Sequence, residues 1–226
     1  MNAIILAAGR GERMRPLTDT IPKPLLKVGG KPLIVWHLEK LAAAGFARIA
    51  INHAHRGELI EAALGNGARF GVEIIYSHEE VALETAGGIA RALPLIDGAS
   101  FAAINADVFS DYDYALLAHA VERVRQGAFT SHLVLVDNPD HHPDGDFGLQ
   151  RDKVVPDGPR FTFSGIAAYS RGVFSGIARG ATAKLGPLLR AEIAAGRVSG
   201  ERYGGRWRDI GTPARLAAIN AELAAR

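Results

Sequence analysis

Residues 3–9 read Ala-Ile-Ile-Leu-Ala-Ala-Gly and carry no polar side chain. A short apolar run that ends in glycine fits a strand buried on both faces. Such strands occur in parallel sheets covered by helices. This run narrows the chain to an α/β architecture more than any other segment does. The first half continues in that way. Helical apolar spacing runs from Leu33 to Ala44 and stops at Gly45. Residues 47–52 and 72–77 read as strands with a helical stretch between them, and residues 100–107 as a further apolar strand that ends in an acid, Asp107. Strand and helix alternating at this short spacing predict a parallel sheet.

The second half differs. Strands are expected over 131–138 and 160–170, and the Pro-, Gly- and Asp-rich stretch 139–160 predicts loops and short hairpin strands. A helix is expected from Lys184 to Ala195. Residues 203–210 read as a strand pair turning at Gly204-Gly205. A last helix starts at Thr212, a good N-cap, with Pro213 in its first turn. The expectation is one domain over residues 1–226: a Rossmann-like three-layer α/β unit whose central sheet is mixed but mainly parallel.

Composition serves mainly to exclude. The chain has no cysteine, so disulfides, thiolate zinc sites and cysteine nucleophiles are ruled out. Its net charge is +2, and Lys and Arg are spread along the chain rather than gathered in the basic stripe of a nucleic-acid binder. No apolar stretch approaches the roughly 20 residues that span a bilayer. The strand-like start differs from a signal peptide. A cytoplasmic protein with no nucleic-acid or membrane partner is expected. The eight histidines show no zinc-ligand spacing.

The loop after the first strand runs Gly9-Arg10-Gly11-Glu12-Arg13-Met14-Arg15. Glycines there let backbone N–H groups approach phosphate oxygens. Met14 stands where a dinucleotide fingerprint needs its third glycine, and no G-K-[ST] follows, so a dinucleotide fold and a Walker loop are both disfavoured. Three arginines within six residues suit a polyphosphate. Pro22 and Pro24 flank Lys23 and hold it on a stiff tether near the same loop. Asp107 ends a central strand, where open α/β sheets bind ligands. Asp209 lies between a short strand and a capped helix. Two carboxylates from distant segments can share Mg²⁺ with substrate phosphates.

Taken together, these residues resemble a known family. L-A-A-G-x-G-x-R-x-R-P-L-T from Leu6, Pro22-Lys23-Pro24-Leu25, the strand ending Asn105-Ala106-Asp107, and W-x-D-I-G-T-P from Trp207 are similar to the sugar-1-phosphate nucleotidyltransferases. Within that group the chain most resembles the bacterial N-acetylmuramate 1-phosphate uridylyltransferases of cell-wall recycling. The residues that carry this are INHAH (51–55), LETAGGI (83–89), GDF (145–147), FTFSGI (161–166) and SGERYGGRWRDIGT (199–212).

The resemblance implies an enzyme with UTP and a sugar 1-phosphate as substrates, Mg²⁺ as cofactor, no appended β-helix, and a monomeric or weakly associating state. It implies that Ala8, Gly9, Gly11, Arg13, Lys23 and Gly87 bind the triphosphate and that Asp107 and Asp209 hold the metal. Asn105, Glu84, Gly88, Gly165 and Glu201 are expected on the sugar or nucleoside side. Many family members carry a Glu-Lys-Pro whose lysine binds the sugar phosphate. This chain lacks it, and Lys184 is the expected substitute. The sugar phosphate is already ionised at neutral pH, with a second pKa of about 6. Direct transfer without a general base or a covalent intermediate is therefore expected. Mannose-1-phosphate guanylyltransfer stays open as an alternative. So does a catalytically inactive nucleotide-sugar binder, although the complete set of acids and cations argues against it.

Overall fold

The computed structural model describes residues 1–225. Thirteen strands and six helices follow the chain as β1 (Asn2–Leu6), β2 (Lys27–Val28), β3 (Lys31–Pro32), α1 (Leu33–Ala43), β4 (Arg48–His53), α2 (Gly57–Leu64), β5 (Glu73–His78), α3 (Glu84–Ala92), β6 (Ser100–Asn105), β7 (Val108–Ser110), α4 (Tyr114–Arg125), β8 (Ser131–Val136), β9 (Phe147–Gln150), β10 (Lys153–Val155), β11 (Arg160–Ser170), α5 (Leu185–Ala194), β12 (Val198–Tyr203), β13 (Trp207–Asp209) and α6 (Pro213–Ala224) among the described residues.

Nine strands form one sheet in the order β5-β4-β1-β6-β11-β8-β12-β10-β9. The β5-β4-β1-β6 half is wholly parallel. Beyond β6 the sheet is mixed: β11 runs antiparallel to both β6 and β8, while β8 and β12 are parallel. The start of β11 also pairs with β9, so the far end of the sheet curls back on itself. The expected α/β class and mixed sheet are found, but the sheet is not mainly parallel: parallel pairing is confined to β5-β4-β1-β6 and to β8–β12, and the other pairs are antiparallel.

Alternation along β1 shows how the layers arise. Ala3 and Ile5 face a core shared with α1, α2 and α4, through residues such as Leu38, Ile60 and Leu117. Ile4 faces the other way, into a core shared with α3 and α5 through Ile89 and Leu189. Because both faces are covered, the strand has no polar side, which accounts for the apolar run at the N-terminus. A third, smaller core joins Met14, Leu26, Val28 and Phe109 to Ile219 of α6. Asn220 adds hydrogen bonds there, donating to the Lys27 carbonyl and accepting from Gly29 N. The final helix is thus docked on its own chain.

One expectation fails. Residues 203–210 do not form a hairpin. β12 pairs along its whole length with β8, and near its start with β10 at Ser199. The chain instead crosses over, and β13 pairs antiparallel with β7, with Asp209 opposite Val108. That crossover brings Asp209 beside Asp107. No helix among the described residues is long and apolar enough to cross a membrane.

Candidate active site

A cleft of about 670 Å³ opens at the C-terminal ends of β1, β4, β5 and β6. Residues 6–13 line it, together with Lys23, Asn52, Glu79, Glu84, Asn105, Asp107 and Gly211. The location is the one the strand topology dictates: parallel strands all end on one side, and loops from neighbouring strands converge there.

The glycine loop is built for close approach. Gly11 sits at φ 69°, a left-handed conformation that favours glycine. A Cβ at Gly11 would also fall 3.0 Å from Thr18 Cγ2. Thr18 Oγ1 donates to the Gly11 carbonyl at 2.8 Å. The chain then makes a single 3₁₀ turn, Glu12–Met14. Met14, fully buried, anchors the loop in the third core. The residue that spoils a dinucleotide fingerprint is thus the loop's apolar root. A Cβ at Gly9 would meet no protein atom within 4 Å, so this position faces open cleft.

The arginines divide. Arg15 pairs with Asp19 and does not line the cleft; Arg10 lines it but pairs with Glu12 at 3.6 Å. Arg13 lines the cleft and has no carboxylate partner among the described residues. The three-arginine cluster read from the sequence therefore reduces to one guanidinium free for an anion.

Lys23 begins a 3₁₀ turn between its two prolines. Its side chain is 10% exposed, and Nζ donates to Asp107 Oδ2 at 2.5 Å. Asp209 lies one strand away. The Ile210 N–H donates to the Asp107 carbonyl at 2.8 Å. Asp209 Oδ1 is held by Arg215 and lies 2.9 Å from His141 Nε2. Asp107 Oδ1 and Asp209 Oδ2 have no protein partner among the described residues. No group of three or more His, Cys, Asp or Glu with metal-site geometry occurs among those residues.

A second polar relay supports the opposite wall. Asn52 Oδ1 accepts from Ala7 N at 2.8 Å, and Asn52 Nδ2 donates to Glu79 Oε1 at 2.7 Å. Glu79 Oε2 accepts from Leu83 N at 2.9 Å. Asn52 and Glu79 are both 2% exposed, so the relay rigidifies the junction between β1, β4 and the start of α3. The sequence reading missed these two residues. Their signal was available, since each is a polar residue at or just past the end of a parallel strand.

The remaining predicted residues fall into two groups. Asn105 and Glu84 line the cleft, and Ala8 and Gly9 form part of its loop. Glu84 adopts φ 61°, a conformation side-chain-bearing residues rarely hold. Gly165 (φ 79°) packs on Asn105, where a Cβ would come within 2.6 Å of Nδ2.

Gly87 and Gly88, expected among the ligand contacts, are not among the residues that line the cleft. A Cβ at Gly87 would meet the Ala181 carbonyl at 2.4 Å, and Gly87 N already donates to the Ala183 carbonyl at 3.1 Å. A Cβ at Gly88 would strike Asn52 Nδ2 at 2.5 Å. Both glycines let α3 pack closely on its neighbours.

Glu201 is also outside the lining. It lies on the α4 face of the sheet, where it accepts from Tyr112 OH and lies 3.4 Å from His132 Nε2. The His132 contact, aided by Tyr112, holds its carboxyl below the usual range against the opposing effect of burial. Lys184 is exposed at the N-cap of α5, next to the Ala183 carbonyl that receives the start of α3, and does not line the cleft either.

Known proteins place this architecture. A family model described as nucleotidyl transferase matches residues 2–226. The chain is 52% identical to the N-acetylmuramate alpha-1-phosphate uridylyltransferase of Neisseria meningitidis serogroup B, over 98% of this chain and 97% of that enzyme. It is 30% identical to the mannose-1-phosphate guanylyltransferase of Mycobacterium tuberculosis, over 99% of this chain and 64% of that longer enzyme. Among solved structures, a Bacillus anthracis protein described as a glucose-1-phosphate thymidylyltransferase superposes with a TM-score of 0.85 at 26% identity, covering 99% of this chain and 95% of that one. With its glycine loop, tethered lysine and Asp107 lining one cleft, and Asp209 just behind the wall at Gly211, the chain belongs to the nucleotidyl transferase family.

Proposed function

We propose that this chain transfers the uridylyl group of UTP to N-acetylmuramic acid α-1-phosphate, releasing pyrophosphate, and that the resulting UDP-sugar serves peptidoglycan recycling. The observation that carries the reading is the 52% identity along nearly the full length of both chains to an enzyme of that name. Arg13, Lys23 and Asp107 line one cleft, with Asp209 just behind its wall at Gly211, and this gathering supports the chemistry.

The two reactants are polyanions, so catalysis is chiefly a matter of positioning and charge neutralisation. Backbone N–H groups of residues 8–11 cradle the triphosphate. Arg13, free of a carboxylate partner, binds the departing pyrophosphate. Lys23, nearly buried, stabilises charge on the α-phosphate and the attacking oxygen. Glu84 and Asn105 meet the nucleoside or the sugar. Because the sugar phosphate reaches the site already ionised, no side chain need take a proton.

The donor set fits Mg²⁺, a hard cation usually held by one or two carboxylates and completed by waters and phosphates. Asp107 immediately precedes β7 and Asp209 ends β13, its pairing partner, and each acid keeps one oxygen free of protein partners among the described residues. When bound there, the ion would neutralise charge on the reacting phosphates.

A pyrophosphate-release assay across a grid of nucleoside triphosphates and sugar 1-phosphates tests the reading. The highest kcat/KM is expected for UTP with N-acetylmuramate 1-phosphate. A clear preference for GTP with mannose 1-phosphate would overturn the substrate assignment while leaving the reaction class.

A further inference from the structure

Each acid in the metal-binding corner already has a protein cation. Lys23 holds Asp107 at 2.5 Å, and the Arg215 guanidinium holds Asp209. Arg215 is fixed by more than this pair. Thr212 Oγ1, the cap of α6, accepts from the Arg215 backbone N–H at 3.3 Å and from its Nε at 3.4 Å. His141 Nε2 lies 2.7 Å from Arg215 Nη1. The same nitrogen lies 2.9 Å from Asp209 Oδ1, so His141 caps the pair, and Arg215 is the permanent cation at Asp209.

The pair sits directly behind the cleft wall. Gly211 lines the cleft, and a Cβ there would fall 2.6 Å from Arg215 Nη2 and 2.9 Å from Asp209 Oδ2. The side chains of Arg215 and Asp209 are each 22% exposed, so water screens their charges only in part. Two carboxylates and two fixed cations leave no net charge where a dication must bind.

We propose that Arg215 is a built-in counter-ion that keeps the divalent metal off the nucleotide-free site, so that the metal is taken up together with the triphosphate. The inference rests on the reading of Asp107 and Asp209 as metal ligands. A guanidinium touching one ligand opposes a bare dication. The triphosphate brings the negative charge that tips the balance. Arg215 thereby couples metal binding to nucleotide binding.

The test is Mn²⁺ binding to the nucleotide-free protein, followed by electron paramagnetic resonance of the free ion. Arg215→Met is expected to tighten Mn²⁺ binding at least about tenfold, and Arg215→Lys, which keeps the charge, to stay within about twofold of wild type. Arg215→Gln keeps hydrogen-bond donors without the charge and replaces the Met variant if that one does not fold. A folded, uncharged variant that binds Mn²⁺ no more tightly than wild type overturns the proposal. A parallel arm adds UTP: Asp209→Asn is expected to lose protein-bound Mn²⁺ there. Retention would remove Asp209 from the metal, and the functional reading would fail separately.

Discussion

Lys23 Nζ donates to Asp107 Oδ2 at 2.5 Å, joining residues 84 positions apart. The contact ties the proline-stiffened turn to the end of β6 and sets a cation against an acid at the cleft floor. With a side chain only 10% exposed, Lys23 has little freedom to point elsewhere. Lys23→Ala is expected to lower kcat at least about 100-fold, the loss of a positioned charge in the transition state. Steady-state pyrophosphate release measures it. A variant within a few-fold of wild type would limit Lys23 to holding Asp107.

Arg13 is the loop arginine that lines the cleft without a carboxylate partner among the described residues. Arg13→Ala is expected to cost at least about 100-fold in turnover. Arg15→Ala, which removes a partner of Asp19 outside the cleft, is expected to leave turnover within about threefold. Equal losses in the two variants would contradict the division of roles.

Glu84 holds a left-handed backbone at the cleft edge, which costs a side-chain-bearing residue on the order of 1 kcal/mol. Glycine relieves that strain but loses entropy of similar size on folding. Glu84→Gly is therefore expected to melt at or above the wild-type temperature while raising KM for one substrate. A clear loss of stability with unchanged KM would make Glu84 structural.

His37 is buried in α1 with Nδ1 2.7 Å from Tyr114 OH. Burial, aided by the charge of Lys40, pushes its pKa from the ordinary 6.5 down to about 4. Between those values the unfolded chain takes up a proton that the folded chain refuses. The stability is complete above pH 6.5 and is lost as pH falls toward 4, by about 3 kcal/mol at most. Denaturant melts at pH 7 and 4.5 are expected to show a smaller difference for His37→Gln than for wild type. An unchanged difference would place the acid sensitivity elsewhere.

What was legible in the sequence was local. The apolar run of β1, the glycine loop and the proline-flanked Lys23 each follow from neighbouring residues and occupy their expected places; Asp107, expected as the last residue of its strand, lies two residues past the end of β6. The α/β class followed from them. What stayed hidden depends on long-range pairing. Nothing near Tyr203 or Trp207 shows that the next strand pairs with distant β7, so the crossover of β13 was read as a hairpin. Glycine in a loop beside a helix, as at Gly87 and Gly88, suits both ligand approach and tight packing. Only the positions of Ala181 and Asn52 show how closely α3 packs there. Arg215 and His141 come from α6 and from the 139–146 stretch, and no spacing links them to Asp209.

The central claim is that Asp107 and Asp209, brought side by side by the β7–β13 pairing, together hold the metal that this transfer needs. Pyrophosphate release from UTP and N-acetylmuramate 1-phosphate, titrated with Mg²⁺ for wild type, Asp107→Asn and Asp209→Asn, tests it most directly. Each variant is expected to melt as a folded protein and to lose the Mg²⁺-dependent rate. A folded variant that keeps wild-type turnover and Mg²⁺ response would contradict the account.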